Sequence, residues 1–208
     1  MSGSASSKPP VEFWFDFISP FGYLASLRID EIAARHGREV RWHPVLIGVT
    51  VLKVMGLKPL METPLKREYA AREFDRYCRR HGVRVARAID APPMNPLPVA
   101  RAFAWLLQHA PDQAKRLARA ALCDYWALGV DLGAATALNE CGIRAGVPTA
   151  TMARATEDAT AASLLRAEVE AAIARGVFGS PYVIVDDEPF FGVDKLELVD
   201  EWLACGGW

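Results

Sequence analysis

The chain has 208 residues, 51% of them apolar, enough for one sizeable core or for a small domain carrying an inserted subdomain. Its 24 basic and 25 acidic side chains leave a formal charge of −1, so the balance offers no footprint for nucleic acid or an anionic membrane, and a small neutral or anionic ligand is the expected partner. The polar opening MSGSASSKPP lacks the apolar core of a signal peptide, and no later stretch is apolar for the ~18 residues a span requires. The expectation is a cytoplasmic protein with a loose tail over residues 1–10.

Val11 to Phe17 (VEFWFDF) is a short aromatic run bounded by Pro10 and by Ser19-Pro20, the pattern of a buried strand. Beyond Pro20, Ala25, Ile29, Ile32 and Ala33 fall on one face of a predicted helix that Arg35-His36-Gly37 ends. Val40 to Leu46 reads as a second strand, so the chain opens β-α-β with Ser19 in the strand-to-helix turn, a position where open α/β folds bind ligands.

From about Gly48 to Gly176 the spacing is helical throughout. Ala70, Phe74, Tyr77 and Cys78 share a face, as do Val99, Ala102, Phe103 and Leu106, and Ala114, Leu117, Ala118, Ala121 and Tyr125. Two further helices are predicted over Ala134 to Ala145 and Ser163 to Arg175. Strand patterning returns at Tyr182 to Val185, with a turn at Asp186-Asp187, a short run Pro189 to Phe191, and a last helix bearing Leu196, Val199 and Leu203. This order predicts an α/β, thioredoxin-like domain over 11–47 and 177–208, interrupted by an inserted all-helical subdomain over 48–176. Topology alone does not assign an activity.

Cys78, Cys123, Cys141 and Cys205 show neither CxxC nor zinc spacing and read as reduced, structural residues in apolar helical settings. His36 and His81 stand in Arg-His-Gly triplets that read as helix stops, and His43 and His109 offer no pairing with metal geometry. The chemistry is therefore sought at two local features, Ser19-Pro20 and Gly179-Ser180-Pro181. Ser19 is either a helix N-cap or a functional hydroxyl. Pro181 is either a trans proline at a strand start or a cis proline that leaves a backbone edge able to pair with an extended peptide.

FWFDFISPFGYLA, GVFGSPYVIV and FFGVDKLELV together resemble the 2-hydroxychromene-2-carboxylate isomerases and the related kappa-class glutathione transferases, over about Val11 to Trp202. The resemblance implies a DsbA-like thioredoxin fold, glutathione as cofactor and a homodimer. It makes Ser19 the residue that holds the glutathione sulfur as a thiolate, a need set by a free thiol pKa of ~8.5. By the same resemblance the backbone of Ser180, before Pro181, pairs with the cysteinyl part. Asp194 takes the γ-glutamyl ammonium, with Phe191, Gly192, Val193 and Lys195 alongside, and Asp194 can equally cap the final helix.

Leu46 to Gly56 and Pro64-Leu65-Lys66 are similar to the family segment that closes over the site. There Lys66 matches a lysine that meets the glycine carboxylate and Lys53 one near the substrate, although both could be solvated surface charges. Leu57 departs from the family, which has asparagine there, and this puts the substrate in question. Asn95, in PPMNPLP, resembles an asparagine facing the substrate, with Met94 beside it, and also reads as a turn residue. Phe21, Val49, Met55 and Trp126 would line a pocket suited to an aromatic or bicyclic carboxylate.

Asp16, within the aromatic strand, is costly to bury alone, and a structural role is favoured over a proton shuttle. The function implied is isomerisation through a glutathione thiolate. A kappa-like transferase or peroxidase and a non-catalytic peptide-binding protein are the alternatives. A disulfide oxidoreductase is disfavoured, because Ser19-Pro20-Phe21-Gly22 contains no cysteine.

Overall fold

In the computed structural model, which describes residues 8–208, the opening aromatic run forms strand β1 (Val11–Phe15). Most of the expected tail at 1–10 lies outside the described residues. Phe17, predicted to end the strand, leaves the ladder but stays in the core, edge-on to Phe15 at 5.1 Å. β1 pairs in parallel with β2 (Val40–Pro44) and antiparallel with β3 (Tyr182–Val185), and β3 pairs antiparallel with β4 (Glu188–Phe191). The sheet order is β2-β1-β3-β4.

Both faces of β1 are covered, so its sequence reads as continuously aromatic rather than alternating. Phe13 and Phe15 point into the main core, with Trp42 edge-on to Phe13 at 5.0 Å. Trp14 points the other way, stacks on His43 at 4.3 Å, and shares a smaller cluster with Val45, Ala172, Val177, Tyr182 and Ile184. The β3–β4 turn places Asp186 at φ 51° and Asp187 at φ 70°, the pair of positive angles that suits a two-residue hairpin.

The helix predicted after Pro20 is two helices, α1 (Pro20–Ser26) and α2 (Ile29–Arg35). Between them Arg28 takes φ −125°, and its guanidinium donates to the Tyr77 hydroxyl at 3.0 Å and to the Glu197 carboxylate at 2.9 Å. Those tertiary partners are invisible to periodicity, which therefore runs the two helices together.

The second strand stops at Pro44, short of Leu46, and the chain turns into α3 (Ile47–Val49) and a π-helical turn (Thr50–Val54). A short 3₁₀ turn (Leu60–Glu62) leads to α4 (Lys66–His81), then α5 (Leu97–His109), α6 (Pro111–Leu122) with a π-helical continuation (Cys123–Ala127), α7 (Ala135–Arg144), α8 (Thr149–Glu157) and α9 (Ala161–Ala174). A 3₁₀ turn (Val193–Lys195) and α10 (Leu196–Cys205) close the chain. Among the described residues no strand interrupts the helical stretch, as expected. α8 was not foreseen, because Met152 and Ala155 are its buried residues and two positions make a weak periodic signal.

The helical stretch packs directly on the sheet: Phe103 of α5 sits edge-on to Phe15 at 5.4 Å and to Phe17 at 5.9 Å. All four cysteines are free. Cys78 and Cys141 are buried, but Cys123 and Cys205 are exposed, which corrects the reading that all four lie in apolar settings. Among the described residues no helix is long and apolar enough to cross a membrane.

Candidate active site

The corner between β1 and α1 is built from Asp16 to Ser19. Ser19 has extended backbone angles (φ −86°, ψ 116°), and its hydroxyl oxygen accepts from the Gly22 amide at 3.0 Å, the geometry of an N-cap. The same hydroxyl donates to the backbone carbonyl of Ser180 at 2.9 Å. The hydroxyl therefore caps α1 and also reaches across to the second motif. It is 4% exposed.

Ser180 and Pro181 are joined by a cis peptide bond, which settles the choice the sequence left open. The Ser180 hydroxyl accepts from the Asp16 amide at 2.9 Å, and the Gly192 amide donates to the Pro181 carbonyl at 3.1 Å. Thus β1, the cis-proline loop and the start of the final turn are tied into one junction. Gly22 is required there, because a Cβ at that position would stand 2.6 Å from the Ser180 hydroxyl oxygen. Sequence reading singled out neither Gly22 nor the side chain of Ser180. The S-P-F-G spacing, with glycine three residues past the cap, was the available signal.

Asp16 is 1% exposed, and both carboxylate oxygens are occupied: one accepts from the Ile18 amide at 3.1 Å, the other from the Ile47 amide at 2.8 Å. Burial pushes its carboxyl from 3.8 up to about 6, and the two backbone donors pull in the opposite direction without cancelling the effect. α1 is only seven residues long, so the dipole aimed at Ser19 is that of about two turns rather than of the single longer helix expected.

Val193 is buried, the Val193–Lys195 turn packs beside α1, and the Gly192 amide ties the start of that turn to the cis-proline loop. Asp194 does not cap α10, which has no side-chain cap. Its carboxylate pairs instead with the neighbouring Lys195 ammonium at the surface. Phe191 is exposed on β4, packed against Phe178 at 4.6 Å beside the cis-proline loop.

Lys53 lies on the π-helical turn and Lys66 begins α4. Both are exposed, and neither bonds to Ser19, Ser180 or Asp194 among the described residues. Phe21 of α1 packs on Phe74 of α4 at 6.1 Å, and Arg28 bonds Tyr77 of the same helix, so α4 lies against α1. Leu57 and Met55 are exposed on the intervening segment.

Met94 is buried and its amide donates to the Tyr125 hydroxyl at 3.1 Å; Trp126, next along, donates from its indole to the Phe17 carbonyl at 3.1 Å. This relay fixes Met94 relative to the corner. Trp126 is buried at the back of the same corner, as Met94 is. Asn95 accepts the Leu97 amide through Oδ1 at 3.1 Å, so its carboxamide oxygen serves the turn before α5.

A parallel β-α-β opening, a hairpin entered through a cis-proline, and a capping serine at the corner where a disulfide oxidoreductase carries its reactive cysteine define a thioredoxin-type protein without the redox pair. The chain belongs to the family of the DSBA-like thioredoxin domain, whose model matches residues 10–204. It is similar to the 2-hydroxychromene-2-carboxylate isomerase of Sphingobium xenophagum, at 27% identity over 93% of this chain and 97% of that one. Among solved structures it resembles a 2-hydroxychromene-2-carboxylate isomerase, with a TM-score of 0.78 at 22% identity over 93% of this chain and 94% of the other. It also resembles the cytosolic disulfide reductase DsbM from Pseudomonas aeruginosa, solved with GSH, with a TM-score of 0.64 at 15% identity over 94% of this chain and 96% of that one.

Proposed function

We propose that this chain is a glutathione-dependent isomerase of the 2-hydroxychromene-2-carboxylate type, acting on an aromatic or bicyclic carboxylate. The observation that carries the reading is the Ser19 hydroxyl held 2.9 Å from the carbonyl that precedes the cis-proline, in a corner with no cysteine. Similarity to relatives that bear the isomerase name supports an enzyme of that kind.

The donor set fits the tripeptide. The Ser180 amide takes no partner among the described residues and stands next to a carbonyl with a spare lone pair, which suits an extended peptide backbone. Asp194 offers a surface carboxylate to an α-ammonium, Lys195 and Lys66 offer ammonium groups to carboxylates, and Phe191, Gly192 and Val193 border the same edge. Bound glutathione would supply the sulfur nucleophile that adds to a conjugated carbon, permits bond rotation and then departs.

Ser19 has a single hydroxyl hydrogen. To steady a sulfur anion it must redirect that hydrogen from the Ser180 carbonyl, and a charge-assisted bond is the stronger of the two. Lys53, Met94 and Asn95 are proposed to face the substrate, and two copies of the chain to form the working assembly.

The test is turnover with and without glutathione in the wild type and in Ser19→Ala. The expected result is glutathione-dependent isomerisation that falls by about 10²–10³ in kcat when the hydroxyl is removed, the scale of losing one preorganised donor. Glutathione recovered unconsumed by mass fits isomerisation, whereas its appearance in product would assign a transferase. Turnover unaffected by Ser19→Ala would end the proposal.

A further inference from the structure

Asp16 is the one buried carboxylate at the corner, and the chemistry above does not use it. Its main-chain and side-chain atoms meet four partners: the amide donates to the Ser180 hydroxyl at 2.9 Å, the carbonyl accepts from Ser19 at 3.0 Å, and the two carboxylate oxygens accept from Ile18 and Ile47 at 3.1 and 2.8 Å. Ile47 opens α3, the start of the segment that carries Lys53 and Leu57. One side chain therefore joins the loop bearing Ser19 to the base of that segment, while its backbone joins the cis-proline loop.

We infer that Asp16 is a positioning residue that must be a carboxylate for the site to be assembled, because the charged form accepts from the Ile18 and Ile47 amides more strongly than a neutral carboxyl does. This deepens the glutathione-dependent reading and rests on it. Protonation removes the charge that strengthens both bonds and turns one of the two oxygens into a hydroxyl, a much poorer acceptor, so the tie at that oxygen weakens. Either Ile47 is held less tightly, loosening the segment base, or Ile18 is, loosening the turn that presents Ser19.

The groups that face Asp16 are the Ser180 hydroxyl from the cis-proline loop, the Ser19 amide on its own loop, and the Ile18 and Ile47 amides. Among the described residues no charged side chain contributes to its raised pKa, so the transition belongs to burial and to these ties. The transition falls at about pH 6.

Two measurements test this. The first is amide exchange in the wild type, with intrinsic rates divided out: protection of Ile47 or Ile18 should fall about tenfold between about pH 7 and about pH 5, as a one-proton release predicts. Protection of both amides that stays constant across that interval overturns the proposal. The second is glutathione-dependent turnover against pH in the wild type and in Asp16→Asn, which keeps the volume and one accepting oxygen but never the charge.

The wild type should lose kcat on the acid side of about pH 6, and Asp16→Asn should show no such limb and a plateau at least about tenfold lower. An acid limb that persists in the variant overturns the proposal. Should the variant fail to fold, the exchange result in the wild type decides. If the wild type ignores glutathione at every pH, the functional reading fails, while the tie itself stands or falls on Ile47 and Ile18 protection.

Discussion

The corner around Asp16 and the segment from Thr50 to Leu65 are joined at Ile47, yet they are built on opposite principles. In the corner, Asp16 and Ser19 are buried and both side chains are fully engaged in hydrogen bonds. In the segment, Leu52, Val54, Met55, Leu57, Leu60 and Leu65 all present large apolar surface outward. The first region is preorganised and the second is adaptable.

Preorganisation has an energetic sign. A carboxylate raised from 3.8 to about 6 binds its proton more tightly folded than unfolded, so keeping it ionised at neutral pH costs about 3 kcal/mol, a cost that disappears as pH falls below the unfolded value. Asp186, paired with Arg38, and Asp200, paired with His36 and Arg35, are held below the usual carboxylate range and act oppositely, losing stability as pH falls. A corner that lowers stability in order to hold charge is consistent with use rather than with scaffolding.

The largest expected effect breaks the comparison from beneath. Phe103 is fully buried where the helical stretch meets the sheet under the corner, and Phe103→Ala should lose about 3–5 kcal/mol in urea unfolding, through lost transfer energy and the cavity left behind. A single transition is expected, because one core cluster spans sheet and helices. Two transitions would instead mean that 48–176 unfolds as a subdomain of its own. Substitutions on the outward face of the Thr50–Leu65 segment should stay within about 0.5 kcal/mol.

What was legible in the sequence follows the same division. Strands β1, β2 and β3, the hairpin turn and the longer helices declare themselves through runs and periodicity that any neighbour would satisfy. Ser19 and Pro181 were legible because small residues and prolines at strand ends have few other uses. The break at Arg28 was not, since it depends on Tyr77 and Glu197 from distant segments. The role of Asp16 was hidden likewise: its carboxylate partner Ile47 contributes only a backbone amide, which carries no residue signature. Of the two readings of Asp194, the cap is not formed: its carboxylate pairs with Lys195 before α10 begins.

An intermediate effect sharpens the comparison within the segment. Leu57 is 52% exposed and stands where the family resemblance implies an asparagine. Leu57→Asn should leave urea unfolding unchanged and tighten glutathione between about twofold and tenfold, the worth of one hydrogen bond. Calorimetric titration checks this, and unchanged affinity would remove the segment from the cofactor site.

The smallest effect concerns the strain at the segment's far end. Leu65 adopts φ 67° and ψ −46°, with the Lys66 amide donating back to the Pro64 carbonyl at 2.8 Å, a γ-turn of the strained kind, and its side chain is 86% exposed. Nothing it touches explains a leucine in that conformation. Its position directly before Lys66 does, if the turn aims the first residue of α4 at the mouth of the site. Leu65→Gly removes a backbone cost of about 1–3 kcal/mol and adds about 0.4–1 kcal/mol of unfolded-state entropy, so a gain of about 1 kcal/mol in urea unfolding is expected. Glutathione should bind the variant more weakly, because glycine permits conformations that leucine forbids and Lys66 loses its fixed approach. Weaker binding in a more stable protein is the signature of strain kept for function; weaker binding with lost stability would assign Leu65 to packing instead.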